Sequence, residues 1–324
     1  MSKMEPCVET GEDDVPFVQL GQYKLRLDLE DLDEEFRERS RIELRETPEV
    51  VEKSLARLKE LLEAEEELNL PVGEDEFFMK FLRPCKFYTE SAFRLLTRFY
   101  KFKAKHPELA QDLIPANVRH VFEQDIIKFL PNRCQGGTRI MLIHSGAKWN
   151  PKVIALSDLF RTVMMALEIA MIEPKTQVAG VHVILDMQGL TLNHVWQFSP
   201  SFAKTVLEFV QECTPVRLKG IHVVNQPFIF KMLYAIFKPF IGEKLKRRLF
   251  FHGYDRKSLH SRIPKEDLPA CYDGTLDIPD YPGHLLAEML CRYDKEFELC
   301  NVLGYVKEKV IVDSKAISTT KLKR

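Results

Sequence analysis

No uninterrupted apolar run in this 324-residue chain approaches the roughly 20 residues that a membrane-spanning helix requires. The protein is therefore expected to touch a membrane at most, not to cross one. The sequence also lacks net charge: 47 basic residues against 48 acidic ones leave −1. No global field recruits nucleic acid, and any electrostatic address has to be local. Paired cysteines are missing as well. The seven present (Cys7, Cys85, Cys134, Cys213, Cys271, Cys291 and Cys300) are odd in number and scattered without a CxxC pair, so neither a disulfide framework nor a zinc site is expected, and a cytoplasmic location fits. The first residues are acidic rather than a basic stretch followed by an apolar one, so no secretory signal is expected.

Phosphate-cradling loops are absent too. Gly136 and Gly137 precede the first apolar strand instead of following it as GxGxxG, and GxxxxGK[ST] does not occur. His144-Ser145-Gly146 is not the GxSxG turn that presents a hydrolase serine. No catalytic residue, metal or cofactor is expected.

What is present is apolar mass, 45% hydrophobic beside 29% charged residues, enough for one large domain and a smaller one. Residues 1–27 have little periodicity and are expected to be a flexible tail with one strand-like stretch at Tyr23 to Leu27. Residues 28–107 read as a helical module. Thr47 caps a helix with Pro48 at its first position, and Val51, Leu55, Leu58, Leu61 and Leu62 form one stripe. Thr89 caps another, with Ala92, Phe93, Leu95, Leu96, Phe99 and Tyr100 inward and Arg94, Arg98 and Lys101 outward. Residues 108–283 change period. Apolar runs at Arg139 to His144, Val181 to Asp186, Ile221 to Asn225 and Leu249 to His252 alternate with helical stretches at about Leu156 to Ile172, Ser201 to Cys213 and Phe228 to Phe240. That alternation predicts an α/β fold with a mostly parallel sheet. Residues 284–324 are expected to be a C-terminal extension, whose lysine-bearing tail after Asp313, ending in Lys321, Leu322, Lys323 and Arg324, is either a disordered basic extension or folds back on the domain.

Three features compete for functional readings. His182, His222 and His252 occupy similar places in three strands, where neighbouring strands could gather them as metal ligands. No acidic ligand or second histidine at ligand spacing accompanies them, and the core or pocket-wall reading is preferred. Asp186 ends a strand, where α/β active sites collect, but a carboxylate capping a turn near Gly189 is the simpler expectation. The segment from Asn225 to Arg248, NQPFIFKMLYAIFKPFIGEKLKRR, is apolar on more than one face if Pro227 opens a helix. Either it is a fully buried core helix or one face closes a cavity while the other is free to meet a bilayer.

Five motifs taken together decide among these: FMKFLRPCKFYTESAFRLL, KWNPK at Lys148 to Lys152, ILDMQGL at Ile184 to Leu190, KGIHVVNQPFIF at Lys219 to Phe230 and KPFIGEKLKRRLFFHG at Lys238 to Gly253. Over about Thr47 to Gly283 the chain resembles the CRAL-TRIO lipid-binding family, in the branch of tocopherol-transfer and retinaldehyde-binding proteins. The resemblance implies a helical module beside an α/β/α domain whose sheet encloses a hydrophobic cavity, no catalysis, and a movable gate over about Pro227 to Phe240. It implies a pocket lined by Phe160, Val163, Leu167, Val181, Leu185, Leu190, Val206, Phe209, Val210 and Ile221, with Phe228, Ile229 and Leu233 as the lid. It further implies phosphoinositide contact through Arg217, Lys219, Lys244 and Arg248. His144 and Leu167 stand at pocket positions where tocopherol carriers have a tyrosine and a serine, so the discrimination that hydroxyl donors supply is altered here.

The expected function is that of an intracellular carrier for a tocopherol-, retinoid- or carotenoid-like molecule, working at phosphoinositide-bearing endosomal or plasma membranes. Enclosing roughly 400 Å² of apolar ligand surface at about 25 cal/mol/Å² is worth on the order of 10 kcal/mol before association costs. Four basic residues at about 1 kcal/mol each give roughly 4 kcal/mol, enough for reversible docking. The rivals are a phospholipid exchange protein and a lipid-targeted regulatory scaffold, the latter supported only by the acidic run Glu63 to Glu67.

Overall fold

The computed structural model describes residues 7–305. The chain opens with β1 (Val8–Thr10), β2 (Pro16–Leu20) and β3 (Tyr23–Arg26), an antiparallel three-stranded sheet. This corrects the expectation of a flexible tail for residues 7–27. Leu20 pairs with Tyr23 across Gly21 and Gln22, and Gly21 takes the positive φ of 60° that a two-residue hairpin turn demands. Val18, Leu20, Leu25 and Leu27 are thereby buried in the main core.

Helices α1 (Glu34–Leu44) and α2 (Pro48–Glu63) follow, the first capped by Asp33, whose Oδ1 accepts from Phe36 N at 2.9 Å. Thr47 caps the second, accepting from Val50 N at 3.3 Å. After the short strand β4 (Leu68–Asn69) come α3 (Asp75–Leu82), α4 (Thr89–Lys105), α5 (Pro107–Ala110) and α6 (Pro115–Phe122). Thr89 is the first helical residue of α4, not its cap; Tyr88 holds that position and gives no side-chain bond. Phe81 of α3 meets Phe99 of α4 edge to face and packs on Tyr100, so α3 and α4 lock through rings.

The central sheet runs β5 (Ile127–Arg133), β6 (Arg139–His144), β7 (Val181–Asp186), β8 (Leu218–Val224) and β9 (Leu249–Gly253), in that spatial order. Strands β6 to β9 are parallel and β5 is antiparallel to β6. The sheet is mostly parallel, as the alternation predicts, with one strand more than expected. Pro131 within β5 hides it from a propensity reading, but proline is tolerated on an edge strand because no partner needs its missing N–H.

Helices α7 (Leu156–Ile172) and α8 (Pro174–Ala179) connect β6 to β7. Between β7 and β8 lie α9 (Leu192–Val195), α10 (Pro200–Glu208) and a π-helical turn at Phe209–Cys213. Between β8 and β9 lie α11 (Phe230–Phe237), a 3-10 turn at Lys238–Phe240 and α12 (Glu243–Lys246). Then α13 (Arg256–His260), α14 (Gly283–Cys291), α15 (Asp294–Asn301) and β10 (Gly304–Tyr305) complete the described chain. The stretch assigned to a C-terminal extension therefore returns to the body as far as Tyr305. Leu285, Leu286, Ala287 and Leu290 of α14 are core residues, and β10 pairs with β4. The basic end, Lys321 to Arg324, lies outside the described residues.

A buried ionic cluster ties the N-terminal sheet to the central one. Glu173 receives hydrogen bonds from Arg139 and, at 3.2 Å, from Arg133, and its Oε1 accepts from Asp28 N at 2.9 Å. Burial alone would raise its carboxyl, but the Arg139 and Arg133 guanidiniums hold it down at about 2.

Candidate functional site

Strand alternation gives the sheet two unlike faces. On one, Ile140, Leu142, Ile184 and Val224 pack against Leu259, Ile263, Leu268 and Tyr272 as a solid minor core. On the other, Met141, Ile143, Val183, Leu185, Ile221 and Val223 form the floor of a cavity of about 260 Å³. Leu156, Leu159, Phe160, Val163 and Leu167 of α7 make one wall; Phe198, Phe202, Val206, Leu207 and Val210 make another. Leu190, Trp149, Leu249 and Phe251 close the ends. Among the described residues, hydroxyl oxygens come only from Ser145 and Tyr234, and no carboxylate, amine or guanidinium lines the space; the Trp149 indole N–H is already spent on Ile154 O at 3.0 Å.

The roof is α11. Phe230, Leu233, Tyr234 and Phe237, spaced i, i+3, i+4, i+7, point into the cavity, followed by Ile241 and Leu245. Of the helix itself only Leu233 is buried; Met232 is 50% exposed, and Phe228, just ahead of the helix, is 82% exposed. The helix starts at Phe230, not at Pro227, whose carbonyl instead closes a turn with Phe230 N at 2.9 Å.

Of the residues named from the resemblance, Phe160, Val163, Leu167, Leu185, Leu190, Val206, Val210, Ile221 and Leu233 all line this space. Five do not. His144 points to the other face of the sheet because it follows Ile143 on β6, and its Nδ1 lies 3.9 Å from Asp186 Oδ2. Val181 shares the cavity face but sits at the closed start of β7, in solid core. Phe209, on the π-helical turn, faces away and packs on Phe102 and Phe160 at centroid distances of 5.0 and 5.8 Å. Phe228 stands outside, and Ile229 packs at the cavity's edge against Leu233 and its neighbours. Residues missed by sequence include Trp149, Phe198, Phe202, Tyr234, Leu245 and Phe251. For α11 the helical spacing from Phe230 was the available signal.

Asp186 is structural, as the turn reading has it: Oδ1 accepts from Gln188 N and Asn225 Nδ2, both at 2.9 Å, and Oδ2 from Tyr272 OH at 3.2 Å. The three strand histidines do meet, but as a hydrogen-bonded row and not around a metal. His182 Nδ1 lies 3.0 Å from His222 Nε2, His222 Nδ1 lies 3.0 Å from His252 Nε2, and His252 Nδ1 lies 2.8 Å from Ser258 Oγ. They lie on the face opposite the cavity, so they form no pocket wall. Burial lowers His182 to about 4 and His222 to about 3. Gly220 makes the row possible, since a Cβ there would stand 2.6 Å from His222 Nε2.

A second concavity of about 630 Å³ opens where α4, the start of β8 and α12 converge. Arg217, Lys219, Lys244 and Arg248 all line it, joined by Lys86, Arg94 and Arg98 from the helical module. Arg94 and Arg98 read as plain solvent-facing residues in sequence; only the docking of α4 against the π-helical turn at Phe209–Cys213 brings them here. Glu212 is the one carboxylate of the lining among the described residues and lies 3.5 Å from Arg98. Val210, Leu218 and Leu245 belong to both concavities, so the basic cleft and the apolar cavity share a thin wall.

A layered α/β domain with a roofed apolar cavity defines the class, and the family follows: the CRAL/TRIO domain matches residues 123–274, and this chain belongs to that lipid-binding family. It is 33% identical over 260 residues to alpha-tocopherol transfer protein-like of Homo sapiens, an alignment covering 79% of this chain and 75% of that one. It is 29% identical over 291 residues to Clavesin-2 of Rattus norvegicus, with 89% and 88% covered. Among solved structures, that of Sfh5 covers 79% of this chain at 12% identity with a TM-score of 0.36.

Proposed function

We propose that the protein is a non-enzymatic intracellular carrier that holds a lipophilic small molecule under α11 and exchanges it at phosphoinositide-bearing membranes of the endosomal or plasma-membrane type. The observation that carries this reading is the roofed cavity itself, whose lining offers hydrocarbon nearly everywhere and two hydroxyls. Such a space favours a tocopherol-, retinoid- or carotenoid-like guest with at most a hydroxyl-sized polar group. It disfavours a phospholipid headgroup, because a phosphate placed among these walls would lose its hydration with no cation to receive it. The name of the human relative, alpha-tocopherol transfer protein-like, points to the same ligand class.

The roof divides the labour. Its inner face retains the guest, and its outer residues Phe228 and Met232 would gain apolar contact at a bilayer interface, which favours the open state only when a membrane is present. The basic cleft supplies the address, with Arg217, Lys219, Lys244 and Arg248 as the proposed headgroup contacts.

Native mass spectrometry and organic extraction of the purified protein test the proposal. A stoichiometric terpenoid-like lipid is the expected result; a bound phospholipid would point to an exchange protein, and an empty cavity to a scaffold.

A further inference from the structure

The four basic residues at the floor of the cleft are not equivalent. Glu43, in the last turn of α1, places Oε2 2.9 Å from Arg217 Nη2 and 3.8 Å from Lys219 Nζ, while its Oε1 accepts from Arg39 Nε at 2.8 Å. Arg217 is further held by the Val178 carbonyl. Lys244 and Arg248 make no ion pair among the described residues. Helix α1 lies ahead of residues 123–274, the family match, and its Glu43 does not line the cleft but pairs with two of the cations that do.

One carboxylate does not neutralise the group around it. Burial and the adjacent Arg217 lower the Lys219 amine despite Glu43, and burial and Arg217 likewise lower the Arg248 guanidinium. The cleft is short of negative charge while half of its floor is already engaged.

We propose that Glu43 is a built-in counter-anion that sets a charge threshold for the cleft: a ligand with one ring phosphate monoester is received by Lys244 and Arg248 alone, and a second ring phosphate monoester is needed to displace the Glu43 carboxylate from Arg217 and Lys219. The physical basis is competition between anions. A phosphate monoester carries about −1.5 to −2 at neutral pH and three acceptor oxygens, against −1 and two for a carboxylate. A second phosphate therefore replaces Glu43 with gain, whereas a singly phosphorylated ligand, already seated on the free pair, cannot reach it. The proposal rests on the reading of the cleft as a headgroup site.

The test uses the full chain, as wild type, Glu43→Gln and Glu34→Gln, sedimented with phosphatidylcholine vesicles carrying an inositol lipid with one or with two ring phosphates. Wild type should prefer the lipid with two. Glu43→Gln should tighten binding to the lipid with one phosphate about fivefold, the worth of one charge near a surface, and change binding to the other less, so that the preference narrows. Glu34→Gln, at the far end of the same helix, should leave the preference unaltered. Soluble inositol phosphates should compete in the same order, and a reversed order would overturn the proposal. It is also overturned if Glu43→Gln weakens binding to both lipids, which would make Glu43 a support for Arg217, or if Glu34→Gln acts equally. Binding by wild type and Glu43→Gln no better than to phosphatidylcholine alone, with Lys244→Glu/Arg248→Glu indistinguishable from them, sinks the headgroup reading itself.

Discussion

Single side chains in this protein do work that their neighbours in sequence do not reveal. Glu173 is the clearest. Replacing it by Gln leaves Arg139 and Arg133 buried beside an amide, and breaking a buried pair in this way costs about 3–5 kcal/mol; chemical denaturation should show a correspondingly lower midpoint with unchanged slope. Because the folded carboxyl is held at about 2 against an ordinary 4.5, its contribution is present in full above pH 4.5 and fades as the pH falls toward 2. The histidine row behaves in the same sense at higher pH. His182 and His222 are lowered from 6.5 to about 4 and about 3, so the folded state resists their protonation. Their stabilising effect is complete above pH 6.5 and declines as the pH drops from 6.5 toward 4. Thermal unfolding from pH 7.5 to 4 should show this decline in wild type and a shallower one in His222→Gln. Gly220→Ala, whose Cβ would stand 2.6 Å from His222 Nε2, should cost about 1–3 kcal/mol through overpacking, while an alanine at the open position Gly73, where a Cβ meets nothing within 4 Å, should not.

At the scale of elements, α11 has one face lining the cavity and another exposed, and the proposed function assigns the two different jobs. Met232→Glu and Phe228→Glu alter only the outer side, so unfolding midpoints and retention of the guest in solution should stay near wild type while transfer to acceptor vesicles slows. Equal loss of retention and transfer would show that the outer side also holds the roof shut. Leu233→Ala acts on the inner side and should cost about 2–5 kcal/mol if its neighbours cannot collapse, with faster loss of guest in solution. The sequence made α7 legible to its ends, since Leu156 to Ile172 is long, predominantly apolar and free of glycine and proline. It made α11 legible as a helix and undecided as to role, since an apolar helix reads alike whether it roofs a cavity or fills a core. His144 illustrates the other limit. Likeness to relatives placed it in the pocket, but a strand turns successive side chains to opposite faces, and the register that puts Ile143 on the floor sends His144 to the other side.

For the molecule as a whole, a net charge of −1 means that the proposed attraction to an anionic membrane has to come from the cleft and not from a general field. Vesicle binding should therefore weaken steeply between low and physiological salt, where the screening length shortens to about 8 Å, and Lys244→Glu with Arg248→Glu should remove most of that dependence. Retention of the guest, resting on apolar enclosure, should be nearly indifferent to salt.

The sequence by itself determined the α/β alternation, the parallel strands and the apolar character of the segment over the sheet, because periodicity and composition act over a few residues along the chain. It also carried enough family motifs to indicate a lipid cavity. Tertiary structure alone decided that residues 7–27 form a sheet, that Arg94 and Arg98 join Lys244 and Arg248 in one cleft, that Glu43 faces Arg217, and that three histidines from separate strands share hydrogen bonds. Each of these depends on which faces of distant elements meet, and that is settled by packing a whole core, a quantity no local pattern contains.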